Sequence, residues 1–206
     1  MKLRESHLQF PPQNVIRWNW QGTDIKKESQ GQNKSSNTIQ YKVIQTLKTG
    51  TDYYILFDDD DSGEIADVVA IKEDEANKSF VFELYHCKFS TEAYPGARVA
   101  DLYAVCGQSE KCVKWVQNTQ GLIARLRNRE NDRTNSGQVS RFEEGNMQLL
   151  HILGKKLKFY SVKYQVFIVQ PGVDGANISE SMHQVLCSAS SYLMDTYGIP
   201  LILICS

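Results

Sequence analysis

Two apolar runs that carry charged residues constrain this chain more than any other feature. Residues 64–71 read Glu-Ile-Ala-Asp-Val-Val-Ala-Ile, and residues 80–88 read Phe-Val-Phe-Glu-Leu-Tyr-His-Cys-Lys. Each run has the length of a buried strand, yet Asp67 lies in the first, and Glu83, His86 and Lys88 lie in the second. Because an unpaired buried charge is costly, these side chains must pair, face water in a cleft, or bind an ion.

The net charge is −1, but the charges are unevenly distributed. Residues 52–75 contain ten acidic residues and one lysine, whereas residues 111–141 contain seven basic and two acidic residues. This division predicts an acidic pocket for a metal and a basic stripe for a polyanion; two solvated faces of opposite sign are the alternative. The run from Asp58 to Asp61 lacks the spaced ligands of a calcium loop and is predicted to be a solvated hairpin tip.

Length, cysteines and hydropathy set the class of protein. The 206 residues, 41% hydrophobic and 23% charged, suit one α/β domain. The five cysteines are odd in number and show no C-x-x-C spacing, so we expect free thiols in a reducing compartment. Neither a signal-like apolar run nor a span of about 18 apolar residues occurs, which predicts a cytoplasmic protein without membrane association.

The order of the predicted elements indicates a mixed α/β sheet. Three strands joined by short turns predict an antiparallel meander, and later strands that follow helices predict parallel additions to the same sheet, which helices flank. We interpret 1–206 as a single domain, with an irregular extension at 1–36, a core at 37–170, and a C-terminal helix and strand at 171–206. The predicted helices are 37–50, one that begins at about 99, then 112–129, 142–153 and 178–196. The predicted strands are 53–57, 64–71, 80–89, 160–169 and 201–205.

On a strand, His86 and Lys88 point the same way and Glu83 the other way unless a bulge intervenes, and Asp67 can face His86 and Lys88 from the preceding strand. This arrangement resembles the PD-(D/E)XK nuclease superfamily, whose restriction-endonuclease-like core is a helix, a three-strand meander, a helix and a strand. The resemblance covers roughly residues 35–170. Asp67 matches the family aspartate and Lys88 the family lysine, whereas His86 departs from the acidic residue expected two positions before that lysine.

The chain is also similar to nuclease domains appended to superfamily II helicases in bacterial defence loci. Three successive segments carry this similarity: Glu-Leu-Tyr-His-Cys-Lys, Pro-Gly-Ala-Arg and Val-Cys-Gly-Gln. The resemblance implies a Mg²⁺- or Mn²⁺-dependent nuclease that acts on nucleic acid, DNA being favoured, in phage defence or restriction. A helicase or other defence subunit and a second copy of the chain are the implied partners. The implied catalytic residues are Asp67, Glu83, His86, Lys88 and Gln108, with Asp67, Glu83 and His86 as metal ligands and Glu64 as a further carboxylate.

The basic segment supplies the predicted nucleic-acid contacts, because phosphate binding needs accessible cations. Three alternatives stay open: an inactive nuclease fold that binds nucleic acid or docks a partner, a structural Asp67–Lys88 ion pair, and a metabolic α/β enzyme, for which no cofactor motif is present. Trp115 is interpreted as a core residue rather than a stacking platform. The predicted phosphate-binding residues are Lys111, Lys114, Arg125, Arg127, Arg129 and Arg133.

Overall fold

A seven-stranded sheet with helices on both faces forms the centre of the molecule. The computed structural model describes residues 9–206, so the first eight residues of the predicted 1–36 extension lie outside the described residues. The strands are β1 (Val15–Arg17), β2 (Ile55–Asp58), β3 (Val68–Asp74), β4 (Ser79–Cys87), β5 (Phe142–Glu144), β6 (Ser161–Val169) and β7 (Leu201–Cys205). The helices are α1 (Ile39–Gly50), α2 (Val99–Lys111), α3 (Val113–Val116), α4 (Thr119–Asn135), α5 (Met147–Lys156) and α6 (Glu180–Tyr197).

The sheet order is β1-β7-β6-β4-β3-β2-β5. Strands β2, β3 and β4 form an antiparallel meander, and β6, β7 and β1 add to it in parallel. The short β5 pairs antiparallel with β2 at the opposite edge. The prediction of a mixed sheet with a meander, parallel additions and flanking helices is therefore confirmed.

Two buried layers lie against the sheet. One packs the sheet against α2, α4, α5 and α6 and includes Phe10, and the other packs it against α1, Trp20 and Ile25. Along β4 the side chains alternate between them, with Phe82 and Leu84 in the first layer and Tyr85 and Cys87 in the second. His86 consequently faces α2, and Glu83 faces α1.

The N-terminal segment is more integrated than the predicted irregular extension. It contributes β1 to the sheet edge, and the Trp20 indole donates a hydrogen bond of 3.0 Å to the Cys205 carbonyl. Phe10, Trp20 and Ile25 are buried. These long-range contacts have no local sequence signature, because β1 has only three residues and pairs with the last strand of the chain.

Two predicted helices differ from the structure. Residues 142–153 divide into β5 and α5, because Gly145 adopts a φ of +80° and Asn146 caps α5 through a hydrogen bond from the Leu149 N–H. A Cβ at Gly145 would lie 2.7 Å from the Tyr54 carbonyl oxygen, so the turn requires glycine. Similarly, residues 112–129 divide into α3 and α4, and Asn118 caps α4.

The described helices include none with both the length and the apolar character needed to cross a bilayer.

Candidate functional site

Three carboxylates meet in the loop that precedes β3. The carboxylate oxygens of Asp60, Glu64 and Asp67 all lie within 4.8 Å of one another. Asp67 is only 3% exposed and accepts a hydrogen bond of 2.9 Å from the Cys87 N–H on β4. Burial and the neighbouring Glu64 raise the pKa of Asp67 well above its usual range. A cluster of this kind favours a cation, which offsets the mutual repulsion of the carboxylates.

Two buried arginines, Arg129 and Arg141, bind the backbone of the same loop. Arg129, 6% exposed, donates hydrogen bonds to the carbonyls of Ser62 and Asp59 at 2.8 and 2.6 Å. Its Nε lies 2.5 Å from Asp59 Oδ1, in an ion pair that lacks hydrogen-bond alignment. Arg141 donates to the carbonyls of Asp58 and Asp60 at 3.0 and 2.8 Å. These contacts hold the acidic loop in one conformation.

The run from Asp58 to Asp61 is therefore not a solvated hairpin tip, contrary to the prediction. Asp58 and Asp59 are buried, and the side chains of Gln30 and Gln40 donate to Asp58 at 3.1 and 3.0 Å. β3 also begins at Val68 instead of residue 64, because residues 59–67 close into this loop through an Asp59 N–H to Asp67 carbonyl hydrogen bond of 3.0 Å. Asp67 thus lies immediately before the first residue of β3.

Lys88 lies directly beyond the end of β4, at the same end of the sheet as Asp67. Val68 pairs with Tyr85, so the start of β3 and the end of β4 coincide. Within residues 9–206 the ion pair of Lys88 is with Glu28, at 3.0 Å, and not with Asp67. The negative charge of Glu28 contributes to the raised pKa of Asp67. Glu28 therefore pairs with the lysine and also acts electrostatically on Asp67.

His86 is fully enclosed and hydrogen-bonds to none of the described residues. It is 2% exposed, and burial lowers its pKa to about 4, so the ring is neutral near pH 7. His86 lines a cavity of about 350 Å³, together with residues of the acidic loop and of α2 and α3. The remaining lining residues are Gly63, Glu64, Ile65, Gln108, Lys111, Cys112, Lys114 and Trp115.

Gln108 and Trp115 bring further polar atoms to this cavity. Gln108 Oε1 and Trp115 Nε1 are buried and have no hydrogen-bond partner among the described residues. Lys111 and Lys114 are exposed, and the Lys114 ammonium lies 5.0 Å from the Trp115 ring centroid. Glu64 both lines the cavity and belongs to the acidic cluster, so the two features are continuous.

Glu83 does not belong to this site, which corrects its prediction as a metal ligand and catalytic residue. The β3–β4 register is continuous, with no bulge to turn the side chain toward Asp67. Glu83 instead accepts hydrogen bonds from the hydroxyls of Tyr53 and Tyr85, each at 2.8 Å, and pairs with Lys72 at 2.6 Å. It is a buried anchor on the α1 side of the sheet.

The predicted phosphate-binding stripe also requires correction. Arg129 serves the acidic loop and is inaccessible, as is Arg141. Arg125 donates to the Gly63 carbonyl at 2.8 Å, and Arg133 donates to the Val139 carbonyl at 3.1 Å, although both remain partly exposed. Arg127 is exposed, as are Lys111 and Lys114 beside the cavity.

Sequence reasoning missed Glu28 and Asp60. Glu28 lies in a polar segment with no motif, and only its contacts with Lys88 and with the Phe89 N–H, 2.9 Å away, reveal it. Asp60 was visible within the aspartate run, but its neighbours there do not distinguish a ligand from a solvated residue.

No family model, curated protein or solved structure matches the chain.

Proposed function

We propose that the chain is a divalent-metal-dependent nuclease with a restriction-endonuclease-like core. The observation that carries the proposal is the meeting of Asp60, Glu64 and Asp67 at the end of the sheet where Lys88 follows β4. The element order supports it as well: a helix, a three-strand antiparallel meander, helices, and a strand parallel to the last strand of the meander. DNA is the first substrate to test.

The donor set suits a hard divalent cation. Three carboxylates supply only oxygen ligands, which Mg²⁺ and Mn²⁺ prefer. Burial, and after it the charge of Glu64, raises the pKa of Asp67, and a bound cation would favour its ionised form. Asp60, Glu64 and Asp67 would hold the ion. A bound ion of this kind supplies Lewis-acid polarisation of the scissile phosphate and activation of the attacking water.

The residues of the chain contribute separate tasks. The Lys88 ammonium orients the water or stabilises negative charge on the phosphate, and Glu28 fixes that ammonium through the ion pair of 3.0 Å. His86 is neutral, with a pKa of about 4, so it does not protonate a leaving group near pH 7 and acts as a hydrogen-bonding group. Lys111 and Lys114 neutralise flanking phosphates.

A cleavage assay with Mg²⁺ and with Mn²⁺, on single- and double-stranded DNA and RNA, tests the proposal. Asp67→Asn should abolish cleavage while its amide oxygen still accepts the Cys87 N–H, whereas alanine would leave that buried donor unpaired. Asp74→Asn is the matched control, because Asp74 lies at the other end of β3 and bonds Asn77. Cleavage that survives in Asp67→Asn would contradict the assignment.

A second candidate function is an inactive nuclease fold that binds nucleic acid. The specific observation in its favour is His86, an enclosed neutral side chain two positions before Lys88. If wild-type protein is inert with every divalent ion and His86→Glu alone produces Mg²⁺-dependent cleavage, the binding module is the correct assignment. Cleavage by the wild type excludes it.

A further inference from the structure

The cavity beside His86 contains an unusual set of buried polar groups. A neutral imidazole provides one donor and one acceptor, Gln108 Oε1 provides an acceptor, and the Trp115 indole provides a donor. None of these atoms has a hydrogen-bond partner among residues 9–206. Because buried polar groups are normally paired, this convergence indicates a ligand that supplies complementary donors and acceptors.

The charges around the cavity indicate what kind of ligand enters. The three groups with unpaired atoms are neutral, and Glu64 on the wall disfavours an anion inside the cavity. The cations, Lys111 and Lys114, are exposed at its edge. A neutral polar group therefore suits the interior, and negatively charged groups suit the rim.

The size and position of the cavity further narrow the class of ligand that it can bind. Its volume of about 350 Å³ is near the lower end of the range for small-molecule pockets, roughly 300–1,000 Å³, so it accommodates one nucleoside unit rather than a stack of bases. Trp115 packs partly against the core, as predicted, so what it offers the cavity is its indole N–H rather than a stacking face. Through Glu64 the cavity is continuous with the acidic cluster, where the phosphate chemistry is proposed to occur.

We propose that this cavity is a base pocket that receives one unpaired nucleobase of the substrate strand, next to the bond that is cut. The inference rests on the proposed nuclease function and makes it more specific, because a base that enters this pocket must leave its stack and its partner. His86, Gln108 and Trp115 bind the base, and Lys111 and Lys114 bind the phosphates on either side. The substrate class is therefore single-stranded or locally opened nucleic acid.

Binding to strands with and without bases tests the base pocket. A single-stranded 12-mer is compared with a fully abasic strand of the same length and charge, with Ca²⁺ in place of Mg²⁺, by fluorescence anisotropy. Wild-type protein should bind the intact strand about tenfold more tightly, which corresponds to about 1.4 kcal/mol. His86→Phe should remove the difference between the strands, because the phenyl ring forms no hydrogen bond with a base.

Two further variants keep the test decisive. Gln108→Leu, at a half-buried position of α2, should also reduce the preference for the intact strand, so the result does not depend on the folding of His86→Phe alone. His151→Phe, an exposed histidine outside the cavity, should leave the preference unchanged. Lys114→Gln should weaken both strands by the same factor, since it affects phosphate contacts only.

Equal binding of both strands by wild-type protein that still cleaves ordinary DNA would overturn the base pocket and leave the nuclease proposal standing. If no strand is bound or cleaved under any condition, the proposed function itself fails, and the base pocket fails with it. A duplex that binds as tightly as the single strand, with equal sensitivity to His86→Phe, would overturn the assignment of an unpaired substrate.

Discussion

Lys88 Nζ lies 3.0 Å from Glu28 Oε2, and the same carboxylate oxygen accepts the Phe89 N–H at 2.9 Å. Glu28 thus fixes both the side chain of Lys88 and the backbone just after it, and its charge adds to the effects of burial and of Glu64 in raising the pKa of Asp67. The lysine is therefore held, at the end of the sheet where Asp67 lies, by a residue from the N-terminal segment. The activity of the site should consequently depend on that segment.

Glu28→Gln should lower the single-turnover cleavage rate by roughly 10²-fold, because the neutral amide no longer holds the Lys88 ammonium in place. The amide oxygen still accepts the Phe89 N–H, so the fold should remain intact by circular dichroism. Lys88→Ala should be at least as impaired. Asp24→Asn, which removes an exposed carboxylate paired with Lys27 in the same segment, is the control and should cleave normally. A fully active Glu28→Gln variant would show that Lys88 needs no anchor.

Mg²⁺ or Mn²⁺ should raise the melting temperature of the wild-type protein, because the ion binds the folded cluster only. At an ion concentration 100 times Kd the gain is about 2.7 kcal/mol, or roughly 5–10 °C for a chain of this size. Glu64→Gln and Asp67→Asn should each abolish most of the increase, measured by differential scanning fluorimetry. Glu83→Gln should destabilise the apo protein but keep the increase, because Glu83 serves Tyr53, Tyr85 and Lys72. If Glu83→Gln abolished the increase in melting temperature and the Glu64 and Asp67 variants kept it, Glu83 would be a metal ligand after all.

His86 should make the protein sensitive to acid. Its pKa is lowered from 6.5 to about 4 by burial, so between these values the unfolded chain binds a proton that the folded chain does not. Stability is therefore lost as the pH falls from about 6.5 to about 4, by about 3 kcal/mol from this group. Urea unfolding of His86→Phe between pH 4.5 and pH 8 should show a smaller loss on the acid side.

At pH 8 the same variant should be equal to the wild type or more stable, by about 1 kcal/mol, since two unpaired buried nitrogens are removed. Parallel unfolding curves for the two proteins across the whole pH range would contradict the structural assignment of His86. Such a gain in stability with a loss of nucleic-acid binding is the pattern expected for a functional residue.

Arg129 and Arg127 should behave differently although they are neighbours on α4. Arg129→Met should lower the free energy of unfolding by about 3–5 kcal/mol, because it leaves buried Asp59 and several loop carbonyls without their partner. Arg127→Glu, at an exposed position, should leave stability almost unchanged. Combined with Lys111→Glu and Lys114→Glu, it should weaken nucleic-acid binding about equally across sequences and reduce the salt dependence. Unchanged affinity in this triple variant would exclude a phosphate-binding surface here.

The regular elements follow from local patterns in the sequence. The apolar spacing of 39–47 predicts the buried face of α1, and Ile39, Val43, Ile44 and Leu47 are all buried. Ser179 caps α6 and Gly198, with a φ of +68°, ends it, as serine and glycine at those positions indicate. β7 lies at the predicted residues. In each case the information is contained within one or two turns of chain.

Local patterns in the sequence identified only part of the candidate site. Asp67 and Lys88 were identifiable because a charge next to an apolar run is a local anomaly, whereas Gln108 was implied only by the resemblance to the nuclease superfamily. The strand alternation also separates Glu83 from His86, and the continuous register of β3 and β4 makes that separation final. What these residues contact could not be read from the pattern.

Tertiary structure alone decided which residues these side chains contact. The pairing of Glu28 with Lys88, the clamp of Arg129 on the acidic loop, and the burial of Asp58 and Asp59 all join segments far apart in the chain. An arginine on an exposed-looking helix has the same local sequence whether it binds phosphate or buried carbonyls. Side-chain partners depend on which surfaces meet after the sheet is assembled, whereas helices and strands depend on the spacing of apolar residues along one stretch of chain.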